Sequence, residues 1–321
     1  MRSMATASSS YFGMNTPITH QVFGVNAQKA LDAGKKRLNR LEKMWSRFNP
    51  TSEISRINAG AGGKDVRISR ETGELLAQAK SFSSLSSGLF SVTVCPLVDL
   101  WDYKHARHVP AAEDIARTLP LVNDAGLQLN AAGGIARLTM PHQSIDLGGI
   151  GKGFACDEIN KTFQEYGITS AVTNVGGNVS VLGAKPDGTP WRVGIRHPRL
   201  KDRLLGCLLV TDCSVVTSGD DQRFFVADNG KRYHHILDPQ VGFPAESGLL
   251  SVTVVAKSSA AADALSTILF IAGIEKGLEI LSQFPRAEAV FFTADRQVCL
   301  TSGLKDSFLT DVNMKISYLE K

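Results

Sequence analysis

Two hydrophobic rhythms run along this chain. From Asn26 to Trp45 the apolar residues Leu31, Leu38, Leu41 and Trp45 recur at spacings of seven, three and four, while Lys35, Lys36, Arg37 and Arg40 fill much of the rest. That period predicts an amphipathic helix whose charged residues form a solvated face. "TSEISRINAG" follows, with Ser52 in a capping position and Gly60 at its end. A second helix is expected from Arg70 to Ser86, closed by Gly88. "GLFSVTVCPLVDLWDY" reads as a short strand stopped by Pro96, and a helix of about eight residues is expected after Ala111.

From there short apolar runs alternate with glycine turns. "LQLNAAGGIARLTM" and "SAVTNVGGNVSVLG" read as hairpins. A strand, a glycine loop and a helix are expected between them, ending at Gly167. "WRVGIRHP", "GCLLVTDCSVVTSG" and "LLSVTVVAK" continue as strands. "SAAADALSTILFIAG" reads as a helix from a Ser cap to Gly273, and "AEAVFFTADRQVCLTSGL" as a last hairpin. Helices mixed with hairpin strands predict an α+β fold with largely antiparallel sheets and packed helices.

Length and composition narrow the classes. The 321 residues are enough for a large core and two intertwined subdomains. Residues 1–15 are expected as a disordered tail and residues 16–321 as the functional domain. With 35 basic and 31 acidic residues the net charge is +4, too mild to indicate a nucleic-acid partner. No apolar run is long enough to span a membrane, and "MRSMATASSSYFGMNTPITH" has no apolar core of a secretory signal. The five cysteines (95, 156, 207, 213 and 299) show no Cys-x-x-Cys pair, so they read as buried reduced thiols of a reducing compartment. The expectation is a cytoplasmic protein.

The most unusual stretch is "SIDLGGIGKGFACDEI", Ser144 to Ile159. A P-loop would need glycine at Asp146 and a hydroxyl residue at Gly153; a dinucleotide fingerprint fits Gly149 and Gly151 but meets Phe154 at its third position. The loop belongs to neither class. Asp146 before it either orients the loop or caps a turn. On the apolar helix further on, Asp263 and Thr267 lie four apart and share one face. An ionised carboxylate there is expensive unless paired or metal-bound. Carboxylate plus hydroxyl suits Mg²⁺ better than zinc; the alternative is an Asp facing the helix dipole and a Thr bonding back to a carbonyl. In "YHHILDP", His234 and His235 point to opposite faces of a strand, so one of them at most faces a given cavity. Imidazole is the side chain whose ordinary pKa suits base work near neutrality. "VTSGDDQRFF" and "NVGGN" are polar, glycine-containing turns at strand ends.

Taken together, "SRFNPTSEISRIN", "GLFSVTVCPLVDLW", "IDLGGIGKGFACDEI", "TNVGGNVSVLGAKPDGTPWRVGIRHPR", "TSGDDQRFF", "RYHHILDPQVGFP" and "SVTVVAKSSAAADALSTILFIAG" resemble, in order and over nearly the whole chain, the FAD:protein FMN transferases, the ApbE-type flavin transferases. The resemblance implies a T-fold-like architecture and a reaction. A Thr or Ser hydroxyl of an acceptor flavoprotein attacks the FMN-side phosphorus of FAD, AMP leaves, and FMN stays attached by a phosphoester. It implies Mg²⁺ held by Asp263, Thr267 and the backbone carbonyl of Gly151, with Asp263 and His235 in catalysis and His235 as the base. By the same resemblance FAD would be held by Phe48, Gly148, Gly149, Lys152, Gly176, Gly177, Ser218, Gly219 and Asp238. Relatives usually have Ala where Gly151 stands, often Asp at Ser91 and Asn178, and often Tyr at Phe48. Two other readings use the same residues: a Mg²⁺-dependent FAD pyrophosphatase and a non-catalytic FAD-binding module.

Overall fold

The computed structural model describes residues 5–103, 105, 108–130, 134–228, 230–310 and 314–321. The expected N-terminal tail is replaced, from Thr6 on, by sheet. β1 (Thr6–Gly13) pairs antiparallel with β2 (Thr16–Phe23) around Met14 and Asn15. Both turn residues have positive φ, as a tight hairpin requires. "TASSSYFG" carries little apolar alternation, which is why the strand escapes a pattern reading. Backbone pairing holds it, with Ala7 and Gly13 facing inward.

α1 (Ala27–Trp45) buries Leu31, Leu38, Leu41 and Trp45, the whole predicted stripe. Its basic face is only partly solvated, since Arg37 and Arg40 both pair with Glu71. α2 (Glu53–Ala59) starts at Ser52, whose Oγ accepts from Ser55 N. β3 (Val66–Arg67) precedes α3 (Arg70–Leu85). The strand expected over "GLFSVTVCPLVDLWDY" is instead a 3₁₀ turn at Val92–Val94 and α4 (Cys95–Trp101). Pro96 lies in the first turn of α4, where its missing N–H costs nothing. Asp124 takes the Thr93 N–H and both the Ser91 and Thr93 hydroxyls, fixing the turn before it.

α5 (Ala112–Thr118) leads to β4 (Leu127–Asn130) and β5 (Ile135–Leu138), the first predicted hairpin; its turn residues 131–133 lie outside the described residues. The strand expected before the glycine loop is absent, and residues 143–147 run as irregular chain. α6 (Gly151–Glu165) follows the loop. β6 (Ser170–Val175) and β7 (Asn178–Leu182) form the second hairpin. Then come β8 (Trp191–Arg196), β9 (Leu204–Val210), β10 (Ser214–Gly219), β11 (Phe224–Val226), β12 (Arg232–His234) and β13 (Leu249–Ala256). α7 (Ser259–Ser282) is capped by Ser258, one residue before the serine that opens the predicted stretch, and it breaks at Gly273, the predicted end. There the backbone leaves helical geometry (φ 77°) and then resumes it. β14 (Glu288–Thr293), β15 (Val298–Thr301), β16 (Phe308–Leu309) and β17 (Ile316–Leu319) complete the chain.

Among the described residues nine strands form one sheet in the order β1-β2-β6-β7-β10-β13-β14-β15-β17, antiparallel except where β15 meets β17. The predicted α+β class with antiparallel sheets therefore holds. α1, α6 and α7 lie against this sheet and against each other in sequence, α1 on α6 and α6 on α7. The small sheet β16-β9-β8 packs apolar residues such as Trp191, Leu208 and Phe308 with Val215 and Phe292 of the large sheet. Leu97 and Trp101 gather with Ile115, Phe225, Tyr233 and Leu237 in a satellite cluster. Among the described residues no helix is long and apolar enough to cross a membrane.

Candidate active site

The glycine loop is held in place from four directions. Asn58 on α2 grips Ile145 at both ends, donating to its carbonyl (3.1 Å) and accepting from its N–H (2.7 Å). Asp146 N donates to Val92 O at 2.8 Å. Its carboxylate accepts from Gly148 N (2.7 Å) and pairs through its other oxygen with Arg47 Nε (2.9 Å). Arg47 also donates to Asp99 Oδ1 at 2.7 Å, and its guanidinium carbon sits 4.8 Å from the Phe48 ring centroid. The exposed Phe48 ring, 73% accessible, is thus tied through Arg47 and Asp146 to the loop. On the inner side Gly149 lies so close to Phe90 that a Cβ would meet its ring at 3.0 Å and Thr267 Oγ1 at 3.7 Å. That short approach joins the loop to α7.

α6 and α7 grip each other at their N-termini. Gly153 is where their backbones meet: a Cβ there would stand 2.2 Å from Ser259 O. Asp157 on α6 reaches the start of α7, accepting from Ser259 N (2.7 Å), Ala260 N (3.0 Å) and Ser258 Oγ (2.8 Å). Burial pushes its carboxyl pKa up against the opposing pull of those donors. In return Asp263 on α7, 3% accessible, accepts from Gly153 N at 2.9 Å. Its other oxygen lies 3.4 Å from Lys152 Nζ, which also donates to Gly148 O at 3.3 Å. Each helix start therefore faces a carboxylate of the other, the arrangement the helix dipole favours.

Thr267 sits one turn beyond Asp263. Its Oγ1 is 3.5 Å from Asp263 O, at the limit of a hydrogen bond, and 3.3 Å from Ser218 Oγ. Ser218, at the end of β10, is 2.8 Å from Ser266 Oγ, which donates to Asp263 O at 2.9 Å. Ser218, Gly219, Asp263 and Thr267 are thus brought together with Gly149 and Lys152. The Gly176–Gly177 turn, both residues at positive φ, joins β6 and β7. Continuing the β7–β10 register places it at the sheet end that carries Ser218 and Gly219.

β12 ends at His234 and His235 lies just beyond it, so the strand alternation expected for the pair does not extend to both histidines. His234 Nε2 donates to Ala245 O (3.0 Å), its Nδ1 accepts from Ile236 N (3.3 Å), and its ring meets Phe270 edge-on, a structural placement. The His235 Nδ1 is buried with no hydrogen-bond partner. Burial above all, then Arg223, His234 and Lys152, drives its pKa down to about 3. The near-neutral pKa expected from residue type alone does not hold: the ring is uncharged here, and Lys152 is near enough to be felt. Asp238 shapes a turn. Its Oδ1 accepts from Gln240 N (2.8 Å) and its backbone bonds Phe243 and Gly242. No contact among the described residues joins its carboxylate to the loop or to α7.

The donors around Asp263 fit a hard cation. One carboxylate, the Thr267 hydroxyl and the Gly148 carbonyl, linked to Asp263 through Lys152, are all oxygen. Mg²⁺ is characteristically bound by one or two carboxylates plus substrate phosphates. Gly151 opens α6 two residues before the Gly153–Asp263 bond. Pattern reading missed Asn58, Arg47 and Asp157. Asp inside a helix is a weak hint, being a poor helix former, but nothing local announces contacts that span 87 residues, as Asn58–Ile145 does.

The ApbE family model matches residues 14–291. A protein of Klebsiella pneumoniae (strain 342) named FAD:protein FMN transferase is 35% identical over 267 residues, covering 83% of this chain and 82% of that protein. One of the same name from Treponema pallidum (strain Nichols) is 34% identical over 284 residues, covering 84% and 78%. Among solved structures, the ApbE protein of Thermotoga maritima superposes with a TM-score of 0.86 at 28% identity, covering 94% of this chain and 98% of that one. The apo flavinyl transferase ApbE of Pseudomonas stutzeri gives 0.84 at 29%, covering 96% and 98%.

Proposed function

The chain belongs to the ApbE family, and from that premise we propose that it transfers FMN from FAD to a Thr or Ser hydroxyl of an acceptor flavoprotein. The observation that carries the reading is the buried Asp263 carboxylate at the junction of the glycine loop, α6 and α7, with one oxygen on Gly153 N and the other facing Lys152. The acceptor hydroxyl oxygen forms a bond to the FMN-side phosphorus, and the phosphorus–oxygen bond to AMP breaks with its electron pair. AMP is a good leaving group, so positioning and charge neutralisation carry most of the catalysis.

In this reading Asp263, Thr267 and the Gly151 carbonyl hold Mg²⁺, which when bound neutralises pyrophosphate charge. Gly148, Gly149 and Lys152 line the phosphates, and the start of α6 faces them with its dipole. Phe48 takes the flavin ring as an exposed stacking platform. Gly176, Gly177, Ser218 and Gly219 form the far wall, and Asp238 shapes the turn behind His235. His235 accepts the hydroxyl proton at a ring nitrogen. Its low pKa keeps that lone pair free before substrate binds, and a pyrophosphate nearby raises it by favouring the charged ring. All five cysteines are free, which supports a reducing, cytoplasmic setting and an acceptor that is cytoplasmic or faces the cytoplasm.

The test is incubation with FAD, Mg²⁺ and a purified acceptor flavoprotein. In-gel flavin fluorescence on the acceptor, with AMP in solution, is the expected result. FMN and AMP in solution beside an unmodified acceptor would mark a pyrophosphatase instead, and bound unchanged FAD a binding module.

A further inference from the structure

Lys152 stands at an unfavourable place for a cation. It is the second residue of α6, where the helix presents its positive end and no acidic residue occupies the first turn. Two acceptors hold its ammonium there, Gly148 O at 3.3 Å and Asp263 Oδ1 at 3.4 Å. Both distances are long, so each bond is weak and exchangeable. Asp263, by contrast, is buried and cannot stand as a bare carboxylate without a large penalty. Among the described residues its second oxygen has only the Gly153 N–H. The carboxylate oxygen and the loop carbonyl that Lys152 engages are hard oxygen donors, the kind a divalent cation takes.

We propose that Lys152 is a tethered counter-ion for Asp263 that a divalent cation displaces, so that the cation and the FAD pyrophosphate bind with positive coupling through this one side chain. The inference rests on the reading of Asp263 as a metal ligand. Without metal the ammonium neutralises the buried carboxylate. With metal that task passes to the ion, and the ammonium is released to the anionic phosphates a short reach away. Coupling of this kind is reciprocal: whatever factor the metal adds to FAD affinity, FAD adds to metal affinity.

Mn²⁺ is the probe, its free fraction read by electron paramagnetic resonance on the FAD-free full chain. Lys152→Met is expected to bind Mn²⁺ roughly two- to fivefold more tightly than the parent, the size of a long, weak ion pair that no longer competes. Lys152→Arg, which keeps the charge, should stay near the parent. In flavin-fluorescence titrations, the gain in FAD affinity on adding Mg²⁺ should shrink in Lys152→Met. Mn²⁺ binding that is unchanged or weaker in Lys152→Met overturns the inference. Asp263→Asn separates the two failures. If it abolishes Mn²⁺ binding while Lys152→Met does not tighten it, the counter-ion role alone is wrong. If it leaves Mn²⁺ binding intact, the metal assignment falls and this inference with it.

Discussion

Asp157→Ala tests whether the two helices are fixed by their mutual grip. The side chain satisfies two backbone donors at the start of α7 and accepts a hydrogen bond from the Ser258 hydroxyl. A lost helix cap costs about 0.5–2 kcal/mol, and hydrogen bonds to a charged group about 1.5–3 kcal/mol each when counted singly. Two effects hold the total to the lower range. Burial raises the Asp157 pKa, so the donors do not fully repay its desolvation. Ser258 Oγ also still accepts from Ala261 N at 3.2 Å and caps the helix by itself. The expected loss is about 2 kcal/mol, read as a shift of the urea midpoint at constant slope. Asp157→Asn, which keeps one acceptor oxygen, should lose less. Because Asp263 lies on the turn that follows, Asp157→Ala should also weaken Mg²⁺-dependent FAD binding. A midpoint within about 0.5 kcal/mol of the parent, the range of an ordinary surface change, would refute the argument.

Other outcomes follow from single residues. Phe48→Ala should weaken FAD affinity by about 0.5–1.5 kcal/mol while leaving the melting temperature unchanged, because the ring is exposed; a melting collapse would instead assign it to the core. Gly153→Ala sets a methyl against the Ser259 backbone and should cost about 1–3 kcal/mol in urea unfolding; parent stability would show that the helices can part freely. His20 is buried between Tyr11 and Thr173, and burial lowers its pKa from 6.5 to about 4. Above pH 6.5 the ring is neutral in both states and its contribution is complete. Between there and pH 4 the unfolded chain takes up the proton first, so stability falls by up to about 3 kcal/mol. His20→Gln should flatten that slope between pH 7 and 4.5, and an identical slope would remove His20 as its source.

Local patterns exposed the parts of this protein whose signals are local. The α1 stripe, the glycine hairpins and the Ser cap of α7 were legible because burial and turn geometry act within a few residues. β1 was not, since "TASSSYFG" shows little apolar alternation, and the backbone pairing to β2 and the Tyr11–His20 contact that hold it are not written in its own pattern. α4 was hidden because Pro96 stops a strand but also opens a helix, and contacts from distant segments, such as Asp124 to Thr93 and Arg47 to Asp99, are what hold the helical choice. The helix-ending signal at Gly273 is met by a break in helical geometry, but nothing local announces that a second helical segment follows at once. At the site, the four-residue spacing of Asp263 and Thr267 on an apolar helix was enough to single them out. What positions them is a set of contacts between distant segments, Asp157 to α7 and Arg47 to Asp146, which no spacing rule encodes. The same holds for His235, whose residue type suggests a neutral-range pKa and whose surroundings remove it.

The central claim is that the Asp263 carboxylate at the α6–α7 junction serves FMN transfer. It is tested most directly by Mg²⁺-dependent flavin transfer to an acceptor flavoprotein with Asp263→Asn, circular dichroism confirming the fold. The Asn side-chain oxygen can still accept from Gly153 N, and the partly exposed Lys152 keeps Gly148 O and solvent, so the protein should stay folded, and transfer should be lost together with AMP release. Near-parental transfer at low Mg²⁺ by a folded Asp263→Asn protein would contradict the account.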